Sequence, residues 1–214
     1  MGDVSDGPKR VYRGATAQAR QGRRRELLLA AAFDLIGTRG VAGLTVRSVT
    51  KQAGVGSRYF YESFTDGEDL VLAVYDWQLS HLLSRFAEVA AATPTDIGGR
   101  IRANVEVTAD FFTEDHRRRA MLLELESTPA LRERRRQMIR TVAETMVAQA
   151  ETLLVGNSVP RERMLLRAHI LAAGCTDLAI EWLRGSIDLT RRQFIDTVSA
   201  MMLSSVHDPV PEPP

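Results

Sequence analysis

The sequence is short of several things, and each shortage excludes a class of protein. It has a single cysteine, Cys175, so no internal disulfide can form. That fits a reducing compartment, and a cytoplasmic location is expected. No apolar run reaches the ~20 residues that a membrane-spanning helix needs. The first residues are polar and lack the apolar segment of a secretory signal, so no membrane partner and no export are expected. Catalytic spacings are missing as well. There is no Glu-x-x-His pair of a di-iron bundle, no His-x-x-x-His zinc pair, no Gly-x-x-x-x-Gly-Lys phosphate loop and no serine in a nucleophile elbow. The expectation is therefore no enzyme, no catalytic residue, no metal and no cofactor. Lysine is scarce too, at 2 against 26 arginines, the bias of a GC-rich genome.

What is present is length enough for a real core, and a divided charge. The 214 residues allow one large domain or two modest ones. The net charge of +1 conceals a split. Residues 1–67 hold 11 Lys/Arg and 6 Asp/Glu, a net +5, while residues 68–214 hold 17 and 21, a net −4. A basic first third on an acidic remainder points to a polyanion partner for the first third only. On charge alone, a chance imbalance on a solvated surface reads equally well.

The stretch from Leu44 to Leu70 settles that ambiguity. Thr45 is a good N-cap, and Val46, Val49 and Ala53 follow on one helical face. Gly54 ends that helix, because glycine reaches the left-handed conformation without steric cost. Val55 fills the turn. Gly56 or Ser57 starts a second short helix whose Phe60 and Phe64 face the first. Ser57, Arg58, Tyr59, Tyr61 and Glu62 are left facing outward, a polar, aromatic and basic set. A helix-turn-helix offers such a set to a DNA major groove. The candidate DNA-binding residues are Thr45, Arg47, Ser57, Arg58, Tyr59 and Tyr61. Arg58 is placed for a guanine edge and Tyr59 for a thymine methyl or a phosphate. Thr45, Arg47 and Tyr61 are placed for phosphates.

The ordered set of a basic first helix, Thr45-Val46-Arg47, Ala53-Gly54-Val55, Tyr61, Phe64 and Glu68-Asp69-Leu70 resembles the DNA-binding segment of the TetR family of bacterial transcription regulators. The resemblance covers about one quarter of the chain. Three positions depart from the family pattern: Gly56 replaces a capping serine, Tyr59 a common threonine and Gly67 a common lysine. The resemblance implies repression, dimerisation through the last two helices, and release from DNA by a small-molecule effector.

The rest of the chain reads as helices, so the fold class expected is all-α: a three-helix DNA-binding domain and a larger helical body. Residues 1–21 read as a disordered basic arm, 22–67 as the DNA-binding domain, 68–207 as the effector-binding and dimerisation domain, and 208–214 as a loose tail. The helix expected over 22–39 would bury Leu27, Leu28, Ala31, Phe33, Leu35 and Ile36. Arg23, Arg24 and Arg25 would crowd its first turn, against the helix dipole, which nearby phosphates would relieve. A long helix follows Asp66 to about Ala92, and Thr93-Pro94 reads as the start of the next. Thr128 with Pro129, Pro160, and Thr190 with Gln193 mark later starts. The small residues of Ala168–Cys175 and the surplus apolar face of the last helix point to a second copy of the chain as partner.

Polar residues interrupt the apolar helix faces at Asn104, Thr108, Thr145, Gln149, His169 and Thr176. They either satisfy one another or line a partly apolar ligand pocket walled by Trp77, His81, Phe112 and Met121. Cys175, among apolar neighbours, reads as a packing residue. The function expected is a homodimeric repressor on a palindromic double-stranded operator, released by a partly apolar small molecule. The alternative is a helical small-molecule sensor whose N-terminal domain binds DNA non-specifically or binds a protein.

Overall fold

The computed structural model describes residues 9–93, 96–154 and 159–207, with side chains from residue 18 to 206. The described residues are mostly helical, joined by short turns, and hold no strand. In order they form α1 (Lys9–Arg39), a single 3₁₀ turn (Val41–Gly43), α2 (Val46–Ala53), α3 (Ser57–Tyr61) and α4 (Gly67–Ala92). Then come α5 (Ile97–Thr113), α6 (His116–Leu123), α7 (Pro129–Leu153), α8 (Arg161–Arg184) and α9 (Arg191–His207). The chain divides into two compact units between Val74 and Tyr75.

In the first unit α1 packs on α2 and α3. Its core is Leu28, Ala32, Phe33 and Ile36 of α1, Val49 of α2, Phe60 of α3, Phe64, and Leu70 and Val74 of α4. Leu27, expected inside, is 44% exposed, and Leu29 is buried in its place. Helix α1 is also longer than the sequence reading allowed, because residues 9–21 are helical rather than a disordered arm. After Pro8 this run has no proline, one glycine and several alanines, glutamines and arginines. Once the anchored part of α1 exists, extending it backwards costs no new nucleus. Residues 1–8 of the expected arm and the tail 208–214 lie outside the described residues.

The sequence reading put the domain join between residues 67 and 68. The division falls inside α4 instead, because Leu70, Val71 and Val74 in its first two turns are buried side chains of the N-terminal unit. Asp66 starts this helix by accepting from the Asp69 N–H at 2.9 Å.

The second unit is built on two helix pairs. In the first, α7 and α8 face each other through Ile139, Ala143 and Val147 against Ala168 and Ala172. Alanine at both α8 positions lets the axes approach closely. Part of the small-residue run expected at a dimer interface is thus spent inside the chain. In the second pair, α5 packs on α9. Arg102–Asp196 at 2.8 Å and Arg191–Asp110 at 2.6 Å join their exposed edges. Such exposed pairs are screened by water and salt and add little to stability.

Capping follows the sequence closely in this unit. Thr128 caps α7 ahead of Pro129. Thr190 and Gln193 close a reciprocal box at the start of α9. Gly185 ends α8 at φ 79°. Helix α5 is the exception: it begins at Ile97, and its cap is Asp96, which accepts from the Gly98 and Gly99 N–H groups. Thr93 does not cap it, and Pro94 lies outside the described residues. Trp182 of α8 stacks on Phe194 of α9, ring centres 4.5 Å apart, and its Nε1 donates to the Leu189 carbonyl.

Candidate nucleic-acid interface and interior cavity

The helix-turn-helix is fixed by short-range chemistry. The Thr45 hydroxyl accepts from the Ser48 N–H at 3.1 Å, and the Ser48 hydroxyl accepts from the Thr45 N–H at 3.0 Å. Two of the free N–H groups at the start of α2 are satisfied in this way. Gly54 ends α2 in the left-handed conformation, at φ 64° and ψ 28°. Helix α3 has only five residues and no side-chain cap, because Gly56 has no side chain to offer. It cannot stand alone. Phe60, wholly buried, and Phe64, with ring centres 5.7 Å apart, hold it in place.

With Phe60 turned inward, Ser57, Arg58, Tyr59 and Tyr61 are exposed. The Arg58 side chain is 88% exposed, and among the described residues its ion pair is a loose 3.6 Å contact with Glu62. Tyr61 is 63% exposed. Arg47, near the start of α2, is exposed and makes no ion pair among the described residues. The surface thus offers exposed guanidinium and phenol groups on a firmly anchored short helix. These are the groups that hydrogen-bond phosphates and base edges.

The arginine run has a different role from the one expected. Because α1 starts at Lys9, Arg23–Arg25 lie in its interior, and the conflict with the dipole at a first turn does not arise. Arg24 places its guanidinium 4.1 Å from the Tyr59 ring centre and pairs with Glu62 at 3.4 Å. Arg25 lies 4.6 Å from the Phe64 ring centre. Gln21 donates to the Glu62 carbonyl. These contacts tie α1 to the recognition segment, a role the sequence did not reveal.

The second unit holds a half-open cavity of about 180 Å³ bordered by α5, α7, α8, the end of α9 and Phe86 of α4. Four of the residues singled out from sequence come together on its wall: Asn104, Thr108, Thr145 and Gln149. Asn104 Nδ2 donates to Gln149 Oε1 at 2.8 Å, joining α5 to α7. Ile101, Val105, Met146, Leu171 and Met202 make much of the rest apolar.

The other six candidates lie elsewhere. Phe112 and Met121 line a separate cavity of about 40 Å³, beside Tyr75 and Gln78. At that size it has room for a water or two. The Tyr75 hydroxyl donates to the Met121 carbonyl at 2.7 Å, and burial raises its pKa. Trp77 and His81 meet edge to face at 4.9 Å, and His81 is exposed. His169 is exposed on α8, and Thr176 turns its hydroxyl back to the Ala172 carbonyl. None of these last four borders either cavity. Helical spacing gave the side of each helix, but not its height relative to the neighbours.

Arg100 is the residue that sequence reasoning passed over. It is 5% exposed and borders the larger cavity. Its guanidinium donates to the carbonyls of Ala90 and Thr93, at the C-terminal end of α4, where a cation is favoured. An arginine one position before Ile101, on a face of Ile97, Ile101 and Asn104, was the available signal. Burial pushes the Cys175 thiol up to about 11, in keeping with a packing residue. Among the described residues no three His, Cys, Asp or Glu side chains gather as a metal site. Nor is any described helix long and apolar enough to cross a membrane.

A five-residue helix anchored by phenylalanines, after a capped helix and a left-handed glycine, defines a helix-turn-helix DNA-binding protein with a helical body. Residues 28–74 match the family model for bacterial regulatory proteins of the tetR family. The chain is similar to a protein from Syntrophomonas wolfei described as a TetR-family transcriptional regulator, with TM-score 0.70 and 17% identity, over 90% of this chain and 99% of that one. It is similar to the fatty acid degradation regulator FadR from Bacillus halodurans, with TM-score 0.67 and 16% identity, over 86% and 96%. It is also similar to the multidrug binding protein EbrR complexed with imidazole, with TM-score 0.58 and 21% identity, over 88% and 97%. At these identities the solved structures establish the fold. The family match covers the helix-turn-helix and the first turns of α4, and likens that segment to the DNA-binding part of tetR-family regulators.

Proposed function

We propose that the chain represses transcription as a homodimer on a palindromic operator and leaves it when a small molecule fills the body cavity. The observation that carries the DNA half is the outward set Ser57, Arg58, Tyr59 and Tyr61 on α3. Dimerisation is supported by apolar side chains left exposed on the last two helices. Leu166 is 62% and Ile170 72% exposed one turn apart on α8, with Gly174 a further turn on, and Met201 of α9 is 59% exposed. A two-fold dimer buries such a strip against itself.

The effector half rests on the cavity. Phe86 of α4 is in its wall, and Arg100 grips the carbonyls at the end of the same helix. A ligand that displaces either one acts on α4, whose first turns follow the helix-turn-helix. An operator-bound dimer needs its two recognition helices about 34–36 Å apart, one turn of DNA. An effector that favours another setting of α4 lowers DNA affinity by population shift.

Selection of genomic DNA fragments with the purified protein at near-physiological salt tests this reading. A single palindromic motif with half-sites one turn apart is the expected result. Retention of DNA without any preferred sequence, lost steeply as salt rises, would leave a non-specific binder in its place.

A further inference from the structure

We infer that the body cavity takes a small, uncharged, mostly apolar molecule carrying a hydroxyl group, of the size of a substituted phenol. The inference deepens the effector reading above and rests on it for its regulatory meaning, though not for binding itself.

Size comes first. A protein cavity of about 150 Å³ with apolar walls holds benzene. The cavity of about 180 Å³ therefore takes roughly one ring with a small substituent, unless its walls spread.

Hydrogen-bond polarity comes second. Every hydroxyl on the wall has spent its proton on its own helix. Thr108 donates to the Asn104 carbonyl, Thr145 to the Thr141 carbonyl and Ser205 to the Met201 carbonyl. Each therefore offers only lone pairs to a ligand. Asn104 uses its Nδ2 on Gln149, while its Oδ1 is buried and accepts no hydrogen bond from the described residues. An acceptor buried without a donor is costly, and a ligand that supplies the donor recovers that cost. Beside it, the Gln149 Nε2 donates to no described group, so a hydroxyl can both donate and accept at this pair.

Charge comes third. Both arginines on the wall are already occupied by helix ends. Arg100 donates to Ala90 and Thr93, and Arg167 to the Ser205 carbonyl. A carboxylate in the cavity would have to compete with those carbonyls for N–H groups, while a cationic ligand would face two positive groups, Arg100 buried and Arg167 half-buried. A neutral donor is the remaining match.

The test uses three probes of one shape: p-cresol, p-xylene and p-toluate. Their dissociation constants from the full-length protein are measured by ligand-observed NMR, with no DNA present. We expect p-cresol to bind and p-toluate not to. The ratio of p-cresol to p-xylene affinity should fall about tenfold in Asn104→Leu, the worth of one hydrogen bond to a buried acceptor. Retained p-xylene binding by that variant shows that the cavity is still formed. A ratio unchanged by Asn104→Leu, tighter binding of p-toluate than of p-cresol, or no binding of any probe overturns the inference. Anisotropy with a selected DNA fragment then separates the two readings. Binding of p-cresol with unchanged DNA affinity leaves the cavity chemistry standing and removes the effector role.

Discussion

The guanidinium of Arg24 on α1 lies 4.1 Å from the ring centre of Tyr59 on α3, and its charge also meets Glu62. An exposed tyrosine on a five-residue helix would otherwise sample several rotamers. The arginine holds one of them, so part of the recognition surface is set by the first helix. In a double-mutant cycle, Arg24→Ala and Tyr59→Ala are expected to couple by about 0.5–1 kcal/mol in denaturant unfolding. Additive effects would mean that the two side chains do not support each other. DNA affinity should also fall in Arg24→Ala, on operator and random sequence alike.

Arg58 and Arg47 should separate by the kind of DNA contact they lose. Arg58 projects from α3 with 88% of its side chain exposed. Arg58→Ala is expected to relax base preference at one operator position, at a cost of about 1–3 kcal/mol. Arg47→Ala should instead weaken every sequence equally and lower the salt slope by about one. Competition binding on single-base operator variants distinguishes them. Equal losses on operator and random DNA for Arg58→Ala would remove it from base reading.

Thr45 has a structural task beside any contact with phosphate. Its hydroxyl closes the cap of α2 with Ser48. Thr45→Ala should cost about 1 kcal/mol of stability, read as a lower denaturant midpoint, and should weaken binding to all DNA. Thr45→Ser keeps the oxygen and should restore most of the midpoint.

Ile170 and Leu166 are expected to hold two copies together. A carboxylate at the centre of an apolar contact has no partner to compensate its desolvation. Ile170→Glu should therefore sediment as a monomer at micromolar concentration with its helical circular dichroism unchanged. A dimer that persists in both Ile170→Glu and Leu166→Glu would place the interface elsewhere.

Cys175 gives a pH signature. Burial favours the neutral thiol and moves its pKa from 9.0 to about 11. At pH 8 the reactive thiolate is suppressed by on the order of a hundredfold. Alkylation by iodoacetamide, followed by mass spectrometry, should be slow in the folded protein and fast in denaturant. The linkage has a definite sign. The folded chain holds this proton more tightly, so the contribution to stability is complete below about pH 9 and is lost as pH rises towards 11. Alkylation at the same rate folded and unfolded would show that the thiol is not held in the interior.

Local features were legible in the sequence because their causes span four residues or fewer. The Thr45 cap, the Gly54 stop, the inward Phe60 and the Thr190–Gln193 box all stand where reading them off the chain put them. The start of α1 was not legible. Residues 9–21 have moderate helix propensity but no apolar periodicity, and continuity with an anchored helix decides their state. The arginine run was misjudged for the same reason, since its meaning depended on where α1 begins.

By itself, the sequence determined an all-α chain, the helix-turn-helix and which residues face outward from it. These follow from side-chain period, caps and glycine conformations, which act within a turn or two. Tertiary structure alone decided which polar residues share a cavity. Asn104 meets Gln149 across 45 positions in the chain, while His169 faces away from the interior. It also made Ala168 and Ala172 internal contacts and left Leu166 and Ile170 outside. The axial offset between packed helices sets these outcomes, and that offset depends on the fit of many side chains at once rather than on any one segment.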